Sequence, residues 1–388
     1  MEVSKYFDYA ATSLPDKEIL EKALAMSLEF SGNPSSVHQE GIKAKNLLEE
    51  MRNRCAKVLG VKAENLYFTS GGTESDHIPF LSLLNRPNKG SVVISNIEHP
   101  AVREIAESLK KTGWKVINAP CNNLGIVEPE TVISKLQDDT ALVSVMTVNN
   151  ETGAIQPIYE IAAAIESHCK GKRKPKFHTD CVQAIGKIPV QLGAKGIDFA
   201  ALSAHKFYGP RGVGLLYAAN QTESFLKGGG QEKGMRSGTE NVPAIAGLGQ
   251  AAKDMYANLE ANRKHLFALK ERLAERLSIV EGVTLNGIPE EGILATAPHV
   301  LSVSFAGIRS EVLLHALEER GVYVSSGSAC SSNHPDISGT LVAIGVKKEL
   351  LDATLRFSFS VTTTTEEIDY AADCVEALLP QLRRFFRK

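Results

Sequence analysis

The segment Ser203-Ala204-His205-Lys206-Phe207-Tyr208-Gly209-Pro210 directly follows an apolar run, Phe199-Ala200-Ala201-Leu202. Upstream, a second short run, Lys176-Phe177-His178-Thr179, ends on Asp180. Short, mostly apolar runs that stop at polar residues are typical of buried β-strands. The sequence therefore predicts a lysine just beyond the end of one strand and an acid at the end of another.

Runs of this kind alternate with helical patterns from about residue 15 to residue 217. The alternation predicts a mostly parallel sheet with helices on both faces. The predicted strands are Leu66–Thr69, Val92–Ser95, Leu142–Met146, Phe177–Asp180, Phe199–Ser203 and Gly214–Tyr217. Polar residues follow the first five of these strands. Because ligands bind beyond the carboxyl ends of the strands in open sheets of this class, we expect one shared site there.

A smaller region of α+β type follows the sheet. A long helical pattern, Ala244–Leu277, leads out of the sheet region and marks the expected boundary. In Thr354–Val361, Leu355 and Phe357 share one face of a predicted strand and Arg356 lies on the other. We predict a large domain of residues 15–257 and a small domain of residues 1–14 and 258–388. The other predicted elements are the strand Val300–Phe305, the helix Glu311–Arg320 and a last helix that begins at Thr364–Glu367.

The composition excludes several classes of protein. The 388 residues include 43 basic and 45 acidic side chains, which gives no electrostatic footprint for nucleic acid or for a membrane surface. No apolar run reaches the length of a membrane span and the N-terminus lacks an apolar signal core, so we expect a cytoplasmic protein. The six cysteines include no C-x-x-C pair, so neither a metal site nor a disulfide framework is predicted.

A lysine and an acid at neighbouring strand ends suit chemistry with pyridoxal phosphate (PLP). Lys206 can bond covalently to this cofactor, while Asp180 can keep the pyridine nitrogen protonated so that the ring accepts electrons. Gly71 and Gly72 precede Thr73 at the start of a predicted helix. The backbone N–H groups at such a helix start can bind a phosphate. Ser203 and His205 can supply further phosphate donors. The alternatives are a surface lysine and an ordinary turn between strand and helix.

Three more polar side chains are expected at the same edge. His99, with a pKa near neutrality, can stack on a planar ring or shuttle protons. Gln183 can hydrogen-bond the phenolic oxygen of the cofactor, and Asn150 can also reach the ring. The alternative for His99 is a satisfied structural histidine, and for the two amides it is turn or cap chemistry.

Two residues of the small domain are candidates for contact with a substrate. The guanidinium of Arg356 suits bidentate recognition of an α-carboxylate, although a solvated or salt-bridged arginine fits the strand pattern equally. Cys330 lies in a run of small and polar residues from Ser325 to Pro335, which predicts an exposed loop. A thiol on such a loop can approach a substrate and carry a group away; the alternative is an incidental loop cysteine.

The sequence resembles the cysteine desulfurases, PLP enzymes of the class V aminotransferase group with the aspartate-aminotransferase-like fold (PLP fold-type I). The resemblance runs nearly end to end, and the long segment after Cys330 is similar to the branch with an extended cysteine loop. His77 and Gln231 depart from the usual pattern. The motifs that carry the resemblance are Phe7–Thr12, Gly32–Pro34, Thr69–Ser75, Asn149–Gly153, Ser203–Pro210, Gly234–Thr239 and Ser325–Cys330.

The resemblance implies a role for each candidate residue. The cofactor-binding residues are expected to be Gly72, Thr73, His99, Asn150, Asp180, Gln183, Ser203, His205, Lys206 and, from a second subunit, Thr239. The catalytic residues are expected to be Lys206, His99 and Cys330. Arg356, with Asn33, is expected to bind the substrate carboxylate.

The activity that the resemblance implies is conversion of L-cysteine to L-alanine, with the sulfur left on Cys330 as a persulfide. The sulfur would serve iron–sulfur cluster or other thio-cofactor synthesis, with a scaffold protein as acceptor, and the working unit would be a homodimer. Two other kinds of protein remain open. One is a different PLP enzyme, such as a transaminase, a cysteine β-lyase or a selenocysteine lyase. The other is a catalytically silent sulfur carrier or scaffold-binding protein that keeps the fold.

Overall fold

The computed structural model of the protein describes residues 5–326 and 337–386. The strands, in chain order, are β1 (Lys5–Tyr6), β2 (Leu66–Thr69), β3 (Ser91–Ser95), β4 (Lys115–Ala119), β5 (Thr140–Ser144), β6 (Lys176–Asp180), β7 (Phe199–Ser203), β8 (Gly214–Ala218), β9 (Val283–Leu285), β10 (Val300–Phe305), β11 (Val322–Tyr323), β12 (Ser325–Ser326) and β13 (Thr354–Ser358). The α-helices are α1 (Lys17–Glu29), α2 (Gln39–Leu59), α3 (Gly72–Ser82), α4 (Pro100–Lys111), α5 (Pro129–Lys135), α6 (Ile158–His168), α7 (Val242–Ala257), α8 (Leu259–Ser278), α9 (Ser310–Glu318), α10 (Gly339–Ala343), α11 (Lys348–Leu351) and α12 (Thr365–Phe386).

The larger sheet has the strand order β2-β8-β7-β6-β5-β3-β4. Its strands run parallel except β8, which pairs antiparallel with β2 and with β7. This confirms the predicted, mostly parallel sheet, and the six predicted strands are present with ends within two residues of the prediction. The sequence did not predict β4. It lies at the edge of the sheet and is only partly buried, so it has no continuous apolar run.

Both faces of this sheet are covered, which explains why most of its inner strands have apolar residues on both faces. Adjacent residues of a strand point to opposite faces. Val92 and Leu142 accordingly belong to one buried cluster, while Val93 and Val143 belong to another on the opposite face. The carboxyl ends of the parallel strands stay open at one edge, and the candidate site lies there.

The smaller, antiparallel sheet has the order β12-β13-β10-β9, and a separate two-stranded sheet pairs β1 with β11. Leu355 and Phe357 pack into a third buried cluster with apolar residues of α8 and α12. On the other face, Arg356 lies opposite Ser302 of β10 and Ser325 of β12. The predicted alternation in β13 is therefore confirmed, although the strand ends at Ser358 rather than at residue 361.

The predicted long helix is wrong in one respect, because it is divided into α7 and α8. Asn258 has φ −117° and ψ 15°, which breaks the helical backbone between them. The break falls at the predicted boundary between residues 257 and 258, and the division into domains stays a prediction. No helix within the described residues is long and apolar enough to cross a membrane.

Candidate active site

A cavity of about 270 Å³ opens at the carboxyl ends of the parallel strands. Nine of the predicted site residues line it together, although they come from segments far apart in the chain. The lining residues are Ala11, Gly72, Thr73, Asp76, His99, Met146, Asn150, Asp180, Val182, Gln183, Ser203, His205 and Lys206. A larger open cleft of about 860 Å³ lies beside α12, but none of the predicted site residues is among those that line it in the described chain.

Lys206 lies in the short turn that follows β7, as the sequence predicted. Its Nζ donates hydrogen bonds to the carbonyl oxygens of Ala10 (2.6 Å) and Ala11 (2.7 Å). Its own carbonyl oxygen accepts hydrogen bonds from Ser13 Oγ (3.1 Å) and from the buried Lys187 Nζ (2.5 Å). The N-terminal segment therefore holds the turn in place, and sequence reasoning assigned this role to neither Ser13 nor Lys187.

Asp180 ends β6 with its side chain buried. Its Oδ1 accepts a hydrogen bond from the Val182 N–H (2.8 Å). Burial, with a contribution from the neighbouring Asp76 carboxylate, raises the pKa of Asp180 to about 8. A carboxylate in such surroundings is stabilised by a cation, and a protonated ring nitrogen would supply one.

Two further acids and a histidine lie close to Asp180, and sequence reasoning assigned a role to none of the three. Burial raises the pKa of Glu98 to about 7 and raises that of Asp76 well above its ordinary value. His178 Nε2 lies 3.4 Å from Asp76 Oδ1, and burial lowers the pKa of His178 to about 4. For His178, the sequence did contain one signal, its spacing from Asp180. His178 precedes Asp180 by two residues on the same strand, so both side chains point to the same face.

The start of α3 forms another wall of the cavity. A Cβ atom added at Gly72 would lie 2.8 Å from Val182 Cγ2 and 3.4 Å from Ser203 Cβ, so a side chain there would collide with the wall. No side chain caps the first N–H groups of this helix, and Thr73 lines the cavity beside them. Uncapped N–H groups at a helix start suit an anion.

His205 completes this wall as a neutral donor. Its Nδ1 lies 3.1 Å from Thr12 Oγ1. Burial and the Lys206 charge lower the pKa of His205 to about 4. The imidazole is therefore neutral at physiological pH, and its remaining ring nitrogen can serve the cavity.

His99 is both the N-cap of α4 and part of the cavity wall. Its Nδ1 accepts a hydrogen bond from the Ala101 N–H (3.1 Å), so the proton of the neutral ring is on Nε2. The expected pKa near neutrality is wrong. Burial, followed by the charges of Lys206, Arg103 and Arg356, lowers the pKa of His99 to about 4. A neutral ring can stack on a planar group, but at neutral pH it has no proton on Nδ1 to give.

Arg356 is buried and held by two partners. Its Nη2 donates to Asp8 Oδ1 (2.8 Å) and its Nη1 donates to the carbonyl oxygen of Asn150 (2.9 Å). Its Nε has no hydrogen-bond acceptor among the residues that the structure describes. Arg356 is not one of the residues that line the cavity, but it contacts Asn150, which is. Arg356 is therefore salt-bridged within one subunit, and its role in binding a substrate carboxylate stays a prediction.

Two other predicted residues, Asn33 and Thr239, do not line the cavity. Asn33 is exposed, and its Oδ1 accepts a hydrogen bond from the Ser35 N–H (2.9 Å), which is turn chemistry. Thr239 is also exposed, so within one subunit it does not reach the cavity. Cys330 lies outside the described residues. The roles of these three residues stay predictions.

Comparison of the chain with known proteins agrees with the geometry of the site. The profile of the family described as Aminotransferase class-V matches residues 5–371. The chain belongs to this family. Its relatives there include the cysteine desulfurase IscS of Methanosarcina thermophila, which is 37% identical over 382 residues that cover 97% of this chain and 92% of that protein. The cysteine desulfurase IscS of Clostridium botulinum strain Hall is 38% identical, with 97% and 95% covered.

Solved structures of the same family share the fold. A NifS-like protein has a TM-score of 0.90 and 35% identity, with 98% of this chain and 100% of that chain covered. A structure described as SspA in complex with cysteine has a TM-score of 0.79 and 28% identity, with 93% and 100% covered. These neighbours confirm the predicted PLP fold-type I class. Members of this family are PLP-dependent enzymes, and the cysteine desulfurases are among them.

Proposed function

We propose that the protein is a PLP-dependent cysteine desulfurase that converts L-cysteine to L-alanine and transfers the sulfur to Cys330. The observation that carries this proposal is the convergence of Lys206 and Asp180 on one cavity. Its other wall has an uncapped helix start. A lysine for covalent attachment, an acid for a ring nitrogen and an anion site for a phosphate are the three features that PLP needs.

The cavity residues divide into those that would hold the phosphate and those that would hold the ring. Gly72, Thr73, Ser203 and His205 suit the phosphate, because they offer backbone N–H groups, hydroxyls and a neutral imidazole. Asp180 suits the pyridine nitrogen, because the positive charge of a protonated ring nitrogen would stabilise its buried carboxylate. The remaining residues suit the ring and its substituents: His99, Asn150, Gln183 and Lys206.

When bound, PLP accepts the electrons released as a proton leaves the substrate Cα. Lys206, which lines the cavity, would be the base that takes this proton. The carbonyl oxygens of Ala10 and Ala11 lie within 2.7 Å of Nζ. They accept hydrogen bonds from the ammonium form of Lys206, so they stabilise the side chain after it has taken the proton.

The sulfur step belongs to Cys330. Its thiolate attacks the sulfur atom of the substrate, so that a new S–S bond forms as the Cβ–Sγ bond of cysteine breaks. The electron pair of the broken bond remains with the substrate carbon skeleton, which takes up a proton at Cβ, regains the Cα proton from Lys206 and leaves as L-alanine. Arg356, with Asn33, holds the substrate carboxylate during these steps, and Asp8 holds Arg356 in position.

We also propose that the working unit is a homodimer. Leu20, Leu24 and Leu28 form a stripe at helical spacing on α1, and these side chains are 39%, 67% and 80% exposed. A stripe of this kind is usually covered by a partner. Helix α1 packs against α7, which begins shortly after Thr239. The sequence resemblance implies that, in such a dimer, Thr239 contacts the cofactor phosphate of the partner subunit.

A scaffold protein of iron–sulfur cluster assembly in the cytoplasm is the proposed sulfur acceptor. This part of the proposal rests on the sequence resemblance. A pull-down with purified scaffold and transfer of labelled sulfur from the persulfide test it directly.

The experiment that tests the main proposal follows the fate of L-cysteine. Purified protein supplied with PLP should develop a visible absorption band and should release alanine with sulfur bound to the protein. Lys206→Ala should abolish both attachment and turnover. Lys195→Ala is the matched control, because Lys195 is an exposed lysine that pairs with Glu166 on the surface.

Cys330→Ser separates the proposal from its rivals. A hydroxyl cannot accept the sulfur, so this variant should keep the visible band and lose sulfur transfer. Release of sulfide or pyruvate at the parent rate by this variant would establish a β-lyase instead. A parallel assay with L-selenocysteine detects the lyase alternative, and a protein that never takes up PLP would be a silent binding protein.

A further inference from the structure

Gln183 lies between the cavity and a buried histidine of the small sheet region. Its Nε2 donates to the carbonyl oxygen of Ala10 (2.9 Å), and its Oε1 lies 3.0 Å from Nε2 of His299. The side chains of Gln183 and His299 are both buried, with 5% and 1% of their surfaces exposed. His299 directly precedes β10, and its own carbonyl oxygen accepts a hydrogen bond from the Phe359 N–H (2.9 Å). It therefore belongs to the same sheet as Arg356.

These contacts fix the orientation of the amide and the protonation of the imidazole. If the amide were reversed, its oxygen would face the carbonyl oxygen of Ala10, and two acceptors would repel each other. Oε1 must therefore face His299, and His299 must carry its proton on Nε2. The second N–H of Gln183 has no acceptor among the described residues. Since Gln183 lines the cavity, this N–H is the donor that it can offer to a bound group.

We propose that His299 is a positioning residue that keeps the amide N–H of Gln183 directed at the phenolic oxygen of the cofactor. The inference rests on the proposed function, because it assigns Gln183 to that oxygen. The neutral Nε2–H imidazole donates to Gln183 Oε1, and the amide in turn donates to the cofactor. A donor to the phenolic oxygen stabilises its ionised form.

The surroundings of His299 favour the neutral ring. Lys187 and Lys206 belong to the large sheet region, Lys270 belongs to α8 and Arg356 belongs to β13. Burial lowers the pKa of His299 well below the ordinary value, and these four side chains lower it further when they are protonated. Nδ1 has no hydrogen-bond partner among the described residues, as expected if it bears a lone pair. The imidazole should keep one proton, on Nε2, throughout the working pH range.

The experiment follows the visible band of the PLP-loaded protein as a function of pH. His299→Phe removes the donor and keeps a planar ring of similar size. It should raise the midpoint of the titration by about 0.5–1 pH unit, because a charge-assisted hydrogen bond is weakened. His299→Gln, whose amide N–H can take the place of Nε2–H, should titrate near the parent midpoint. Gln183→Leu should raise the midpoint further, and adding His299→Phe to it should have no additional effect.

The proposal is overturned if His299→Phe titrates like the parent, or if it shifts the midpoint equally with and without Gln183. A parent protein that forms no visible band with PLP would overturn the proposed function, and this inference with it. A second measurement is independent of the cofactor and of how His299→Phe folds. In the [¹⁵N]histidine spectrum of the apoprotein, the signals that disappear in His299→Gln should show a protonated Nε2 and an unprotonated Nδ1. The opposite tautomer would also overturn the proposal.

Discussion

Lys270 is a fully buried lysine of α8 whose charge has no carboxylate partner among the described residues. Its Nζ donates to Thr296 Oγ1 (2.5 Å) and to the carbonyl oxygen of Ala297 (2.8 Å). Burial lowers the pKa of Lys270 to about 7, against about 10.4 in an unfolded chain. Between these values the unfolded chain binds more protons than the folded protein, so the contribution of Lys270 to stability rises with pH.

Lys270→Met should therefore change the pH dependence of stability. From pH 7 to pH 9 the parent should gain about 2 kcal/mol of unfolding free energy relative to this variant. Denaturant titrations of the apoproteins at both pH values measure the difference. Lys264→Met, at an exposed position of the same helix, is the control and should show no such gain. An equal difference between parent and Lys270→Met at both pH values would mean that Lys270 stays charged in the folded protein up to pH 9.

Arg356 is poised to bind a carboxylate because it is buried and already oriented. Its contacts with Asp8 and Asn150 fix the guanidinium, and its Nε is left without an acceptor among the described residues. Arg356→Ala should raise the KM for cysteine by an amount that corresponds to roughly 2–5 kcal/mol. Some loss of kcat should accompany it, because the anchored carboxylate orients the Cα proton.

Arg309→Ala is the matched control for Arg356. Arg309 pairs with Asp352 at the surface, with its side chain 53% exposed, so its loss should leave the kinetics unchanged. Steady-state assays with cysteine compare the two variants. If Arg356→Ala matched the parent in KM and kcat, the substrate carboxylate would have to bind elsewhere.

At the scale of elements, the connection from β8 to α7 is held by one buried ion pair. Glu232 and Lys233 have φ values of +47° and +56°, a region that residues other than glycine rarely adopt. Glu232 binds Arg52 of α2 through two hydrogen bonds of 2.7 Å and also accepts the Phe68 N–H (2.7 Å). These contacts offset the cost of the strained backbone and fix the segment that leads to Thr239.

Glu232→Gln should destabilise the protein by about 3 kcal/mol, because it leaves the buried Arg52 charge with only the half-exposed Glu49 as a counterion. Arg52→Met combined with Glu232→Met should cost less than either single change. Glu50→Gln, which removes an exposed pair with Arg54 on the same helix, should stay within about 0.5 kcal/mol of the parent. The unfolding free energies of the apoproteins measure these differences between the variants and the parent. A loss no larger for Glu232→Gln than for Glu50→Gln would show that the pair does not hold the segment.

How well each strand or helix could be predicted from the sequence depended on the burial that produces its apolar pattern. Buried strands such as β5 have apolar residues on both faces, and a covered sheet imposes that pattern wherever it occurs. The edge strand β4 lacks it because one side meets solvent. The break at Asn258 was missed because neither glycine nor proline marks it, although the backbone leaves the helical region there and α8 packs on a different cluster.

The candidate site was predictable where its residues stand at strand ends. Lys206, Asp180 and His99 each follow directly from that rule. His299 and Lys187 do not, because each meets the site through contacts between segments distant in the chain, and no local pattern marks them. The pKa of His99 was misjudged for a related reason, since burial and the nearby cations are properties of the assembled site.

At the scale of the whole molecule, the N-terminal segment links the two sheets. Phe7 packs in the buried cluster of the small sheet, and Asp8 binds Arg356 there. Two residues further on, the Ala10 carbonyl oxygen accepts hydrogen bonds from both Lys206 and Gln183. A movement of the small sheet would therefore reach the lysine, the amide and the carboxylate-binding arginine through the same few residues.

Shared sites in a homodimer predict a particular pattern of complementation. Lys206 and Asp180 line the cavity of one subunit, whereas Thr239 is exposed and is not among the residues that line this cavity. Thr239→Asp should abolish activity, because a carboxylate placed against the phosphate of the partner site repels it. In a hybrid of Lys206→Ala and Thr239→Asp subunits, one of the two sites regains both intact residues.

An equimolar mixture of these subunits, after full exchange, should recover about a quarter of the parent activity, because half of the dimers are hybrids and each hybrid has one complete site. The control mixture is Lys206→Ala with Asp180→Asn. Both residues belong to the same cavity, so every site in that hybrid lacks one of them and no activity should return. Sedimentation verifies the dimer, and subunits with distinct tags verify the exchange. If neither mixture recovers activity although the subunits have exchanged, each subunit builds its site alone. An active monomer would show the same.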